Sequence, residues 1–331
     1  MVGPTRLAPA RRPARRLRGL LPFVVIGTLL LAAAPPVEAV STAFQHASAG
    51  SRGANVRALQ HLLRHHGSII EVTGVYDGPT TEAVRDFQAA HGLAADGEAG
   101  STTWGALVVR LQPGSTGEAV TGLARLLNEK RWTALPLTGV YDAGLAHAVA
   151  AFQAHAGVAI SGITGPVTWR LLLAHLELPV FGATLCDYSA GNGPANWGTA
   201  AAIGQLEAAA SVVAGAGLGR VVVGDVSFEH GGDLPGHASH KHGLDVDLRP
   251  MRADRRQCAV GTAWTWSSYD RAATRALLKA IRAAAPGHVK LVFFNDPVLV
   301  REGLARWYAG HDNHIHVRYC ERVHPIAAYD C

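Results

Sequence analysis

A duplication constrains most of what the first half of this chain can become. Val56, Leu59, Leu62 and Leu63 recur as Val120, Leu123, Leu126 and Leu127, and Gly74-Val75-Tyr76-Asp77 recurs as Gly139-Val140-Tyr141-Asp142. Phe87-Gln88 returns as Phe152-Gln153 and Thr103-Trp104 as Thr168-Trp169, a period of 64 to 65 residues. Solenoids use shorter units, about 20 to 50 residues, that cannot bury a core alone. A longer unit present twice is read as a duplicated small domain. Within each unit the apolar spacing is helical: Val56, Leu59, Leu62 and Leu63 form one stripe, and Ala83, Val84 and Phe87 another. Pro79 sits early in the second pattern, as a first-turn proline does, and Gly74 and Gly78 bracket a tight loop. Each copy is expected to be a three-helix domain. Trp104 and Trp169 are expected in its core, while Tyr76 and Tyr141 are divided between core packing and contact with a bound sugar. Thr80 and Thr81 become Leu145 and Ala146 in the second copy. This reads as a loss of polar groups near the loop, leaving a weaker binder or a spacer.

The segment before the repeats has a different character. Residues 1–39 carry Arg6, Arg11, Arg12, Arg15, Arg16 and Arg18, then an apolar run from Leu20 to Ala34, then Val37-Glu38-Ala39. A basic start, a short apolar stretch and small residues at a cleavage position describe a signal peptide. The run is shorter than the roughly 20 residues a membrane span requires. Export without a stable membrane anchor is therefore expected, and Arg15-Arg16 leaves general and twin-arginine routes open. This leader holds six Arg against one Glu, and the whole chain has a net charge of +5, so the remainder is near neutral. Global charge gives no support for a nucleic-acid partner.

The second half is dominated by histidine. Of seventeen His, six fall in two short stretches, Gly236–Asp247 (GHASHKHGLDVD) and His311–His316 (HDNHIH). A lone His is more often a satisfied polar residue than a ligand; clustering at strand spacing changes that balance. Leu244, Val246 and Leu248 alternate with Asp245 and Asp247, so both carboxylates are expected on one face of a strand, with His240 folding back over them across Gly243. His314 and His316 are likewise two apart, with Ile315 and Val317 opposite. Imidazole and carboxylate together suit Zn2+, and a catalytic site keeps one position open. The expected metal ligands are His240, Asp247 and His316, one zinc per domain. His314 would then lie where a general base or oxyanion stabiliser is needed, with His311 as the other candidate. His237 is read as an outer partner or an additional ligand, and Asp245 as a hydrogen-bond partner that orients a ligand.

These motifs resemble known families. GHASHKHGLDVD with HDNHIHV, preceded by GDVSFEHGG at Gly224–Gly232, is similar to the penicillin-insensitive murein endopeptidases, within the zinc D,D-peptidases that share His-x6-Asp and His-x-His. The resemblance runs from Phe181 to Tyr319. It implies an α+β fold around a small antiparallel sheet, with zinc on His240, Asp247 and His316 and His314 as companion. Several relatives place a Glu three residues before the last ligand; here that residue is Asn313, which cannot take a proton. Gly50–Leu107 and Gly114–Leu172 resemble the type 1 peptidoglycan-binding domain, which implies attachment to cell wall. The resulting layout is a signal peptide at 1–39, binding domains at 49–110 and 113–176, and a peptidase domain at 180–331. The implied activity is cleavage of D-Ala to diamino acid cross-links, or a related bond, by a secreted or periplasmic wall-associated monomer. A D-Ala-D-Ala carboxypeptidase and a non-catalytic wall-binding protein are the alternatives.

All four cysteines, Cys186, Cys258, Cys320 and Cys331, fall in the last domain. In an oxidising compartment they imply two disulfides, with three pairings open. Cys186 and Cys331 lie near the two ends of the domain, which favours joining them and leaves Cys258 with Cys320. Further expectations are a helix over Ala200–Gly215, a strand at Val221–Val223, an amphipathic helix over Asp270–Ala284 and a strand at Lys290–Phe294. Trp264, Trp266 and Trp307 are read as core or groove wall, with Trp307 the residue expected to line a substrate cleft.

Overall fold

The computed structural model describes residues 44–188 and 194–331. The expected signal peptide lies outside them. Among the described residues no helix is long and apolar enough to cross a membrane.

Each repeat is three helices. The first contains α1 (Ala54–His65), α2 (Gly78–Ala90) and α3 (Ser101–Leu107); the second contains α4 (Glu118–Arg131), α5 (Ala143–His155) and α6 (Pro166–Ala174). Asp77 and Asp142 cap α2 and α5 by accepting from Thr80 N and Leu145 N. Gln88 and Gln153 are buried hubs. Gln88 Nε2 donates to the Glu98 carbonyl at 2.9 Å and to Thr103 Oγ1 at 3.0 Å, while its Oε1 accepts from Gly97 N at 2.9 Å. Gln153 repeats this with Ile163 O, Thr168 Oγ1 and Gly162 N. Trp104 and Trp169 are core residues, as expected.

Two expectations about the repeats are corrected. Tyr76 and Tyr141 are each 1% exposed, and their hydroxyls donate to the carbonyls of Gly97 and Gly162. Neither can stack on a sugar from that position. Thr80 is also buried, receiving a bond from Gln60 Nε2 at 3.0 Å. Its replacement by buried Leu145 coincides with Ala124 at the place of Gln60, so a polar core pair has become an apolar one. The change is one of packing rather than of a binding face.

The C-terminal domain is α+β. Its sheet runs β1 (Leu185–Asp187), β2 (Val221–Val223), β3 (Asp245–Leu248), β5 (Ile315–Tyr319), β4 (Val289–Phe293). The pairs beyond β2 are antiparallel, as expected, but β1 and β2 are parallel. The reason is the connection: α7 (Ala200–Gly215) crosses over between them, and a helical crossover returns the chain in the same direction. Leu206, Ala210 and Val213 of α7 join Leu277, Leu278 and Ile281 of α8 (Arg271–Ala284) in one core with Val246, Leu248, Val292, Ile315 and Val317 of the sheet. A short helix, α9 (Pro297–Arg301), follows β4. The opposite side of the sheet carries the histidines.

The disulfides are Cys186–Cys258 and Cys320–Cys331, not the expected pairing. Cys186 lies on edge strand β1, and the loop after β3 returns beside it, with Gln257 Nε2 donating to Arg220 O at 2.9 Å. Cys320 follows β5, which β2 and β3 separate from β1, and the segment after it turns back so that Cys331 N reaches Glu321 O at 2.8 Å.

The repeats pack on each other and on the last domain. Helices α1 and α4 meet where Gly122 faces His61, whose Cβ would lie 2.7 Å from any Cβ at 122. Arg57–Glu129 and Arg64–Glu118 pair across that seam. The start of α1 presses on α7 backbone to backbone: a Cβ at Gly204 would sit 2.7 Å from the Cα of Gly53. Only glycine at both positions permits this approach.

Candidate metal centre

The register of β3 and β5 builds the centre. Asp247 pairs with His316 and Asp245 with Arg318, so these side chains share the face opposite the core. His240 arrives from the preceding loop with a left-handed backbone, φ 68°, an uncommon conformation for a residue with a Cβ. Its amide donates to Asp245 Oδ2 at 3.2 Å, and the ring is 1% exposed.

Three donor atoms converge. His240 Nε2 and His316 Nδ1 are 3.1 Å apart, His316 Nδ1 and Asp247 Oδ1 3.0 Å, and His240 Nε2 and Asp247 Oδ1 3.3 Å. Ligands held at about 2.0–2.1 Å around a tetrahedral ion sit about 3.3 Å from one another. The outer nitrogens are already committed. His240 Nδ1 faces the Val226 carbonyl at 3.1 Å and donates there. His316 Nε2 donates to Asp245 Oδ1 at 3.0 Å. In neutral rings the inward nitrogens are therefore lone pairs, facing each other and a carboxylate. Three acceptors in contact require a cation between them, so the donor set fits a metal ion.

The electrostatics agree. Burial opposes charge on Asp247 and Asp245, but hydrogen bonds from His240 and His316, and from His316 and Arg318, outweigh it and hold both carboxyls well below the usual range. Burial also opposes charge on His316, yet Asp245 and Asp247 push it up to about 9. Without a metal, the cluster recruits a proton instead.

The remaining predicted residues surround this triangle. His237 Nε2 lies 3.0 Å from Asp225 Oδ2 and its Nδ1 3.7 Å from Asp247 Oδ2. Donor atoms of His237, His240 and Asp247 all fall within 4.8 Å of one another. His314 lies in the turn before β5 rather than on the strand, and its ring centroid is 4.5 Å from that of His311. His314 Nδ1 donates to Asn313 Oδ1 at 3.0 Å and His311 Nδ1 to the Ala309 carbonyl at 3.1 Å. Burial pushes both rings below the ordinary histidine value, which leaves them neutral with Nε2 able to accept a proton. The turn is fixed by Asn295, whose amide donates to His311 O, and by Trp264, whose indole donates to Asp312 Oδ1 at 2.9 Å. Trp307 and Tyr308 are 66% and 55% exposed; Tyr308 lies beside the centre, stacking on Phe293, which stacks on His316.

Several contributors were not anticipated. Arg318 donates to Asp245 Oδ1 at 2.7 Å, and extending the period of two past His316 would have found it. Asp225 lies within GDVSFEHGG and partners His237. Tyr329 OH donates to Asp245 Oδ2 at 2.8 Å across 84 residues, and no local pattern points to it.

Residues 179–283 match the family model of the penicillin-insensitive murein endopeptidases, and 52–107 and 116–172 each match that of the peptidoglycan binding domain. The chain joins two peptidoglycan-binding domains to a murein endopeptidase domain. The endopeptidase match includes His240 and Asp247 and stops before His316, which the sheet register brings in. Among solved structures, a peptidoglycan-binding protein from Clostridioides difficile in complex with glutamine hydroxamate is similar at 33% identity over 19% of this chain and 40% of that one, TM-score 0.19. A Burkholderia AP3 phage endolysin is similar at 37% identity over 26% of this chain and 34% of that one, TM-score 0.20. The present chain thus spans less than half the length of either. A search of the curated proteins finds no match.

Proposed function

We propose that the endopeptidase domain is a zinc metallopeptidase that hydrolyses amide bonds in peptidoglycan cross-links, exported by a signal peptide at 1–39 and working as a wall-associated monomer. The observation that carries this reading is the triangle of lone pairs on His240, His316 and Asp247, 3.0 to 3.3 Å on each side. The two disulfides fit an extracytoplasmic location. Binding domains at 49–110 and 113–176 would hold the peptidase domain, 180–331, against its insoluble substrate.

In this mechanism His240, Asp247 and His316 would hold the ion. When bound, zinc supplies Lewis acidity, polarising the scissile carbonyl and making water acidic enough to attack near neutral pH. Asp245 keeps His316 in the required tautomer while Arg318 and Tyr329 hold Asp245. His314 accepts the proton at Nε2; Asn313 fixes that tautomer by accepting a hydrogen bond from Nδ1–H at its Oδ1. An Asn where several relatives have Glu thus supports a histidine base rather than removing the base. His311 backs this role from 4.5 Å, ring to ring. Trp307 and Tyr308 offer an exposed aromatic surface for the substrate strand.

Digestion of purified sacculi, with released muropeptides read by mass spectrometry, tests the proposal. Disappearance of cross-linked dimers, blocked by a chelator and absent in His316→Ala, is expected. For His314→Ala a loss of about 10²–10⁴-fold in rate is expected, the usual contribution of a general base. Loss of terminal D-Ala alone would make the enzyme a carboxypeptidase; sacculus binding without cleavage at any metal would make it a wall-binding protein.

A further inference from the structure

A second triangle of donor atoms lies where the second repeat meets the endopeptidase domain. His155 ends α5 and His175 follows α6; Glu229 and His230 belong to the loop after β2. His155 Nε2 and His175 Nε2 are 3.4 Å apart, His155 Nε2 and Glu229 Oε1 3.1 Å, and His175 Nε2 and Glu229 Oε1 3.4 Å. These edges match those around a tetrahedral ion, about 3.3 Å. His175 Nδ1 donates to the Leu176 carbonyl at 2.5 Å, so its Nε2 is a lone pair aimed at the cluster, just as His240 is set by Val226. His230 stands alongside, its ring centroid 5.1 Å from that of His155, and its donor atom lies within 4.8 Å of those of His155 and Glu229.

We propose that His155, His175, Glu229 and His230 form a second divalent-cation site, of the zinc class, that clamps the second repeat to the endopeptidase domain. Two or three imidazoles and one carboxylate are the ligands such ions prefer. Burial pushes His175 down to about 3 and also lowers His155, with Lys130 and Arg131 adding repulsion, so both are neutral. Burial opposes charge on Glu229, but the Arg131 hydrogen bond overrides it and keeps the carboxylate ionised. The set is therefore already in the protonation state that binding needs. His230 is exposed and His155 half-buried, which gives an ion access from solvent.

One group competes. Arg131 Nη1 caps the triangle, 2.6 Å from Glu229 Oε1, 3.3 Å from His155 Nε2 and 3.2 Å from His175 Nε2. It supplies the positive charge that the first triangle lacks, and it must swing aside when an ion enters. The guanidinium is one-quarter exposed, so the way out is open. The site also touches the first one through the backbone: two residues after His230, Gly232 N donates to Lys241 O at 3.1 Å, next to His240.

The test is zinc stoichiometry of the full chain by atomic emission after dialysis at buffered free zinc, with cobalt absorption as a second readout. Two equivalents are expected for the native chain and one for His155→Ala combined with Glu229→Gln, whose cross-link cleavage stays native. Arg131→Gln should bind the second equivalent about tenfold more tightly or better, because a charge roughly 3 Å from two donors is gone. Zinc should raise the melting temperature of the native chain more than that of the double variant. A single equivalent in both native and Arg131→Gln protein overturns the proposal. Two equivalents only in Arg131→Gln would make Arg131 the resident cation and overturn it for the native chain. A second equivalent that survives the double variant would place the ion elsewhere and overturn it too.

Discussion

The two repeats solve one folding problem with different chemistry. In the first, Gln60 Nε2 reaches Thr73, Val75 and Thr80, and its Oε1 accepts a hydrogen bond from Gly74 N. In the second, the same space holds Ala124 and Leu145. The other hub, Gln88 or Gln153, is kept in both. A buried polar pair can be exchanged for an apolar pair when both members change together, since neither side chain is left facing an unpaired partner. The third helix shows the same freedom. His66 Nε2 meets the Leu107 carbonyl at 2.8 Å in the first copy; in the second, Lys130 Nζ meets Leu173 O at 2.9 Å and His175 O at 2.6 Å. Each copy needs a side-chain donor for the carbonyls at the end of that helix, and neither residue type is compulsory.

The largest effect should come from the shared hub. Gln88→Ala strands the Gly97 amide in the core, leaves the Glu98 carbonyl with Thr103 Oγ1 alone, and should cost about 3 kcal/mol in a denaturant melt, with Gln153→Ala close behind. Gln60→Ala alone should cost about 2 kcal/mol, but Gln60→Ala with Thr80→Leu imports the second copy's pair and should recover part of it, the Gly74 amide still lacking its acceptor. A double variant no better than the single one would break the comparison.

The pH dependence separates the copies further. Beside Lys130 lies Glu177, which burial pushes up to about 7 despite the opposing charge of Lys130. A carboxyl raised in the fold stabilises it below the unfolded value, and that stability is lost as pH rises through the folded value. The full chain should therefore lose roughly 1–2 kcal/mol between pH 5 and pH 8 through this group, and Glu177→Gln should flatten the fall. Melting curves across that window check it; an unchanged slope would remove Glu177 from the account. The smallest difference should be at the caps. Asp77 accepts from both Thr80 N and Thr80 Oγ1, whereas Asp142 serves only Leu145 N. Asp77→Ala should cost about 1 kcal/mol and Asp142→Ala a few tenths less.

Legibility followed range along the chain. Helix stripes, the β3 alternation and the His spacing are local, and the elements expected from them lie where they were placed within a residue or two. Asp247 and His316 could be read as halves of one centre because each strand sets its own phase. Tyr329 and the disulfide partners could not, since they depend on how strands are ordered in the sheet. Tyr76 and Tyr141 misled for another reason: a buried Tyr whose hydroxyl serves a backbone carbonyl has the same sequence signature as a sugar platform. Thr80 misled because its partner Gln60 lies twenty residues away and changes with it.

The glycine contact between α1 and α7 bears on how such a protein would move over its polymer. Modules on slack linkers let a cutting head sweep every bond within reach of its anchor. Here Gly53 and Gly204 bring two backbones together without intervening side chains, a contact that leaves no slack between the start of α1 and α7. On the proposed function, the chain would then act like a calliper with a fixed jaw, releasing fragments whose lengths repeat the distance from anchor to cut. Bulk at Gly204 would loosen the jaw and blur that spacing, even with the chemistry of the head intact.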